Sequence, residues 1–173
     1  MNDYIVVDNI LSDPDQLVAL SRIATYYTFE DRIIDGVQID SNEPSRPPAM
    51  WRGYRSTDIS KTQIDTLKQI VSKSVKFDYT KASAYLAIIP EFANYDIPVR
   101  HWWHTDQCSC AGVIYLNKTP EPNSGTILVS NGKEIVVENK FNRLVLYKNI
   151  LHRPQRFFGT TIEDSRLTFT FFV

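Results

Sequence analysis

The spacing of hydrophobic and polar positions changes along the chain, and the change falls near residue 82. Before it the pattern is mixed. Tyr4 to Asp8 reads as a short strand. Asp13 then has the character of a helix N-cap, with Pro14 at the first helical position, and Leu17, Leu20, Ile23, Ala24 and Tyr27 follow at helical spacing. A second helix is predicted from Ser60, where Ser60 and Gln63 form a capping box and Ile64, Leu67, Ile70 and Val71 supply an apolar stripe. Between the two helices, residues 28–50 are polar and proline-bearing. They predict a long loop containing a short hairpin, and loops of that length are commonly functional.

From Ala82 onward the period is two. Strands are predicted over 83–89, 98–104, 109–117, 125–130, 133–138, 142–148 and 165–173. Asn131-Gly132 between two β-rich runs is a strong signal for a two-residue hairpin loop. Pro120, Pro122 and Asn123-Ser124-Gly125 mark another turn. The pattern predicts one mainly β domain over residues 1–173 with flanking α-helices. In it, residues 82–173 form a sandwich or barrel core and residues 1–81 a mixed, partly helical support.

Composition narrows the function classes. At 43% hydrophobic and 23% charged residues the chain is an ordinary globular sequence, long enough to bury a core without a disulfide or metal staple. A net charge of −1 gives no nucleic-acid signal, although the Arg52 and Arg55 cluster suits a local anion site. The N-terminus has no basic, then apolar, leader, and no stretch reaches the roughly 20 apolar residues of a membrane helix. Cys108 and Cys110 lie too close along one strand to bridge, so they predict free thiols and a cytoplasmic setting.

The chemistry concentrates around the histidines at 101, 104 and 152. His104-Thr105-Asp106 is an H-x-D step, and in an extended chain residues two apart share a face. His152, after the apolar run Leu144-Val145-Leu146-Tyr147, is the candidate third ligand. Two histidines and one carboxylate make the facial triad of non-haem iron(II) oxygenases, which leaves positions open for co-substrate and dioxygen. On the last strand, alternation puts Arg166, Thr168 and Thr170 on one face, predicted to be the inner one, and Leu167, Phe169 and Phe171 on an outer one. An inward guanidinium with a neighbouring hydroxyl suits the distal carboxylate of 2-oxoglutarate, which assigns Arg166 and Thr168 to that co-substrate. Arg100, His101, Trp102 and Trp103 are the candidates for lining the substrate pocket, and no catalytic group beyond the metal ligands is singled out. A rival set, His101, His104, Cys108 and Cys110, has the ligand types of structural zinc but poor spacing, with one residue between the cysteines.

The order H-x-D, strand, His, then Arg on the final strand resembles the 2-oxoglutarate/iron(II)-dependent dioxygenase superfamily. The runs AGVIYLNKTPEPNSGTILV and NRLVLYKNILHRP are similar to its prolyl 4-hydroxylase-like branch, and the opening VVDNILSDPDQLVALS to small bacterial and phage members. The resemblance implies a double-stranded β-helix (a cupin-like jelly roll). It implies Fe(II), 2-oxoglutarate and O2 as cofactors and co-substrates, and hydroxylation of a small-molecule or peptide substrate with decarboxylation of 2-oxoglutarate to succinate. Prolyl 4-hydroxylases carry lysine where this chain has Arg166. The second reading, of a different class, is a non-catalytic metal-binding jelly-roll module. The complete set of triad and Arg166 favours the enzyme.

Overall fold

The structure is a computed structural model of the chain, and it describes residues 3–28, 33–34, 37–38, 53–56, 83–91, 99–106 and 108–173. In chain order these contain β1 (Tyr4–Asp8), α1 (Asp15–Ser21), β2 (Tyr26–Tyr27), β3 (Ile33–Ile34), β4 (Val37–Gln38), β5 (Tyr54–Ser56), β6 (Ser83–Ile89) and a 3-10 turn (Val99–His101). Then follow β7 (Ala111–Tyr115), β8 (Thr126–Ser130), β9 (Lys133–Val137), β10 (Arg143–Tyr147), β11 (His152–Pro154) and β12 (Arg166–Phe172).

The architecture is a jelly roll of antiparallel sheets. A seven-stranded sheet runs β1-β10-β7-β12-β6-β5-β2, and a three-stranded sheet runs β11-β8-β9. The N-terminal part therefore supplies both edges of the large sheet. Asn131 and Gly132 adopt φ of 52° and 72°, the left-handed pair that a two-residue hairpin loop requires, and Ser130 pairs with Lys133.

Period-two sequence produces two separate apolar layers. On the face between the sheets, Val113, Tyr115, Val145 and Tyr147 pack with Leu128 and Val137. On the back of the large sheet, Leu86, Ile114, Leu144, Leu146, Phe169 and Phe171 pack with Leu17 of α1. Leu167, Phe169 and Phe171 thus belong to a covered core and not to an outer surface, because α1 and the segment carrying Ile10 and Leu11 lie across that face. Asn142 holds that segment down: its side chain accepts from Leu11 N–H and donates to Leu11 C=O, both at 2.9 Å. Gly112 provides the close approach that packing here needs, since a Cβ would fall 2.1 Å from the Phe171 ring.

Three expectations are corrected. The strand predicted over 98–104 is not formed by residues 99–104: Val99–His101 is a 3-10 turn, and of these residues only His104 makes a β-bridge. The helix ends at Ser21, Pro14 takes the N-cap position without a side-chain cap, and Tyr27 pairs in β2. The apolar spacing runs on past the helix, but there Ile23 is 81% exposed, while Ala24 packs on the core from outside the helix. Residues 28–50 do contain a short hairpin, β3 with β4. The rest of that loop beyond Thr28 and the helix predicted from Ser60 lie outside the described residues. Among the described residues Cys108 and Cys110 are free thiols, and no helix is long and apolar enough to cross a membrane.

The β1 edge is closed electrostatically. Asp8 pairs in register with Arg143, which donates to it through Nε at 2.6 Å and Nη2 at 3.1 Å, while Lys140 Nζ donates at 2.7 Å. These bonds hold the Asp8 carboxyl well below the usual carboxylate range. A carboxyl lowered in the folded state stabilises the fold above the unfolded value of about 3.9, and that contribution disappears as pH falls through the lowered value. Asp8→Asn should therefore have a lower urea midpoint than the parent at pH 7, and the gap should close between about pH 4 and pH 2. A gap of equal size at both ends would contradict the pairing.

Candidate metal centre

One pair of backbone hydrogen bonds builds the site. His104 N–H donates to His152 C=O at 3.0 Å, and His152 N–H donates to His104 C=O at 2.9 Å. This antiparallel bridge puts the two imidazoles side by side, with ring centroids 4.2 Å apart. Asp106, two residues on, turns back towards them: Oδ1 lies 3.9 Å from His104 Nε2, and Oδ2 lies 3.4 Å from His152 Nε2. One ligand atom from each of the three residues falls within 4.8 Å of the others, so the triad is a group able to hold a metal ion.

The local chemistry fits a divalent cation. His104 Nδ1 lies 3.1 Å from Trp102 C=O and His152 Nδ1 lies 2.9 Å from Ile150 C=O. A carbonyl only accepts, so each Nδ1 carries the proton and each Nε2 keeps its lone pair for a metal. Burial, and then the neighbouring His104, push the His152 pKa down, which favours the neutral imidazole a metal needs. Asp106 Oδ2 is buried and has no hydrogen-bond partner among the described residues. A buried carboxylate oxygen left so is costly, and a cation between it and the imidazoles removes that cost. Two imidazoles and a carboxylate suit a first-row divalent metal.

The face behind the bridge is also built. The bridge register places Trp103 opposite Arg153, and the Arg153 guanidinium lies 4.8 Å from the centre of the Trp103 ring. Such non-hydrogen-bonded pairs bring side chains close, and a cation over an indole contributes about 0.5–2 kcal/mol. On the metal face, Trp102 lies beside His104, and Tyr147 beside His152, with ring centroids 5.2 and 4.4 Å apart.

A cavity of about 110 Å³ opens onto the triad, and Arg55, Arg166, Thr168, Thr170, Tyr85 and Trp102 are among its lining residues. A water needs roughly 10–15 Å³ of such space, so the cavity has room for a small molecule. Arg166 is buried at 4% exposure. Its Nε donates to Ser124 C=O at 3.1 Å and its guanidinium lies 5.5 Å from the Tyr115 ring centre. Among the described residues no carboxylate lies within 4 Å of it. Burial pushes its pKa down, and Tyr115 and Tyr147 oppose that.

The other predicted site residues are dispersed. Trp102 lines the cavity, whereas the Trp103 ring lies under the Arg153 guanidinium and is not among the cavity-lining residues. Arg100 and His101 are exposed, hydrogen-bonded to each other at 3.0 Å and away from the cavity lining. The zinc set does not assemble among the described residues; the metal-capable group there contains His104 without His101 or either cysteine. Sequence reasoning missed Tyr85, Thr126 and Tyr147 in the cavity wall. Their signal was present, because on the inward strands every second residue faces the cavity, but nothing local distinguishes a cavity tyrosine from a core one.

No family model and no curated protein sequence matches the chain. Solved structures do. A prolyl 4-hydroxylase from Pseudomonas putida aligns over 99% of this chain and 92% of its own, with a TM-score of 0.61 at 14% identity. A prolyl hydroxylase from Trichoplax adhaerens, solved with a hypoxia-inducible-factor peptide, aligns over 99% and 83%, with a TM-score of 0.63 at 13% identity. A putative oxygenase from Shewanella oneidensis aligns over 99% and 81%, with a TM-score of 0.59 at 10% identity. The fold is that of the jelly-roll oxygenases. Within this oxygenase fold, the bridged histidines and Asp106 form a metal-capable group.

Asp106→Ala removes the single anionic ligand and should abolish most of the affinity for manganese(II) or cobalt(II), read by calorimetry; parent-like binding would rule the triad out. Trp103→Ala, which removes the ring under Arg153 and no ligand atom, should weaken the same binding measurably but by less than Asp106→Ala does. Trp103→Phe should restore most of it. Unchanged affinity in Trp103→Ala would show that the bridge needs no support from behind.

Proposed function

We propose that the chain is an Fe(II)- and 2-oxoglutarate-dependent dioxygenase that hydroxylates a substrate C–H bond while 2-oxoglutarate is decarboxylated to succinate. The observation that carries this reading is the presence of the metal-capable triad and a buried arginine in one cavity. A triad alone would serve many metal-binding jelly rolls. Arg166 adds a demand of its own, since a guanidinium buried without an anion costs several kcal/mol.

In this reading His104, Asp106 and His152 would hold iron at the cavity that Arg166 also lines. When bound, iron with 2-oxoglutarate and O2 supplies oxidation of an unactivated C–H bond. The residues of the chain do the rest. Arg166 receives the distal carboxylate through two parallel N–H bonds, and its Nε bond to the Ser124 carbonyl fixes the plane of the fork. Thr168 adds a hydroxyl from the same face of β12. Tyr115 donates its hydroxyl to Thr126 Oγ1 at 2.7 Å, which holds its ring against the guanidinium. Trp102, Tyr147 and Phe172 line the cavity with apolar surface and limit water near the reacting atoms.

Arg166→Ala should weaken 2-oxoglutarate binding by about 2–5 kcal/mol, and Arg166→Lys by less because it keeps the charge but loses the fork. Both should bind metal like the parent. The readout is the 2-oxoglutarate dissociation constant from the metal-centred absorption band under anaerobic conditions. Equal affinity in Arg166→Ala and the parent would move the co-substrate to another residue.

A further inference from the structure

The end of the cavity away from Arg166 carries a hydroxyl that the proposed reaction does not use. Along β12 the cavity is lined by Arg166, Thr168, Thr170 and Phe172. Arg166 stands at one end of that line and Phe172 at the other, about 20 Å along the strand. Phe172 pairs with Ala111 on β7, and Ala111 pairs with Tyr147 on β10, so one row across the sheet reads Phe172, Ala111, Tyr147. Tyr147 therefore belongs to the end opposite Arg166.

The surroundings fix the Tyr147 ring and leave its hydroxyl uncommitted. Tyr147 is 4% exposed and lines the cavity. Its ring lies beside that of His152, centroids 4.4 Å apart and planes 49° to each other. Its backbone is held on both sides, by Tyr4 of β1 and by Ala111 of β7. The residue between it and Phe172 is Ala111, a single methyl, which keeps the floor of the row low. Tyr115, on the same face, donates its hydroxyl to Thr126. Among the described residues the Tyr147 hydroxyl takes part in no hydrogen bond. Buried phenols ordinarily find a partner. One that faces a cavity without a protein partner is a donor for what the cavity binds.

Charge selects the class of that partner. With a divalent ion on the triad, Asp106 and one carboxylate of 2-oxoglutarate would together match its two charges, and Arg166 would match the other carboxylate. No excess charge is then left at the metal for a third anion, and desolvating one there is costly. A carbonyl oxygen accepts from a phenol without that cost. The neighbouring walls suit an apolar body: Phe172 and Tyr85 lie with ring centroids 5.9 Å apart, and Val113 lines the same cavity.

We propose that Tyr147 donates its hydroxyl to an uncharged carbonyl oxygen of the primary substrate, so that the substrate is a neutral amide or ketone with an apolar body beside Phe172. This rests on the oxygenase reading, in which 2-oxoglutarate takes the span from Arg166 to the metal.

The test uses protein labelled with 13Cζ-tyrosine and 15N, loaded with zinc(II) as a diamagnetic stand-in and saturated with 2-oxoglutarate. N-methylacetamide and sodium acetate are titrated at constant ionic strength. The Tyr147 ring signal is assigned by its loss in Tyr147→Phe. N-methylacetamide should shift it saturably, and acetate should bind more weakly. Tyr147→Phe should weaken N-methylacetamide roughly threefold to tenfold, the worth of one neutral hydrogen bond, read at the Ala111 and Phe172 amides. Zinc and 2-oxoglutarate affinities should stay within twofold. If Tyr147→Phe does not fold, the signal is assigned through its contact with the His152 ring, and the parent titration decides alone.

Equal N-methylacetamide binding by Tyr147→Phe would overturn the proposal, as would a response that never saturates. Acetate binding as tightly as N-methylacetamide would make the partner an anion and overturn the neutral class. A loss of 2-oxoglutarate affinity in Tyr147→Phe as large as in Arg166→Ala would give the hydroxyl to the co-substrate instead. If the parent takes up no 2-oxoglutarate, the oxygenase reading fails on its own. N-methylacetamide titrated into the zinc protein then reads Tyr147 directly, and lack of saturation there defeats this proposal too.

Discussion

Everything in the site depends on the two hydrogen bonds that tie His104 to His152. Neither residue stands in a long strand at that point. His104 follows a 3-10 turn, and His152 opens the three-residue β11. The bridge nevertheless sets three things at once: the imidazoles lie on one face, Trp102 stands beside them, and Trp103 meets Arg153 on the other face. A slip of one residue in that register would exchange the faces and turn the ligands away from the cavity. β8 holds one side of the bridge, since His152 also pairs with Leu128 at the centre of the buried layer between the sheets.

Charge follows the same geometry. The large sheet commits its back face to apolar packing, and its cavity face carries Arg55 and Arg166 beside threonines and tyrosines. Buried polar groups persist where they have partners, or where a ligand completes them. Among the described residues, Asp106 Oδ2 has no hydrogen bond and Arg166 has no carboxylate beside it, so one suits a cation and the other an anion.

Local features were legible in the sequence. The Asn131-Gly132 turn, the strands predicted at 83–89 and 125–130 and the alternation of β12 all rest on contacts within a few residues or on strict period two. The run from Val99 to His104 has the bulky side chains of an extended segment, whereas the chain turns at Val99–His101 before His104 meets its bridge. Long-range pairings had no local signature. Nothing near Tyr4–Asp8 says that it borders β10, and nothing near Tyr54–Ser56 says that Arg55 reaches the cavity floor beside Ala87. The H-x-D step and the later histidine indicated ligand types, but their meeting is a property of the fold.

The central claim is that the triad and Arg166 form a single site for metal-dependent oxidation. The most direct measurement follows 2-oxoglutarate and succinate by mass spectrometry in aerobic protein supplied with iron(II), beside the Asp106→Ala variant. The account predicts that the parent converts 2-oxoglutarate to succinate and carbon dioxide and that the variant does not. A parent that binds iron and 2-oxoglutarate yet releases no succinate would contradict it and leave a metal-binding jelly roll without turnover.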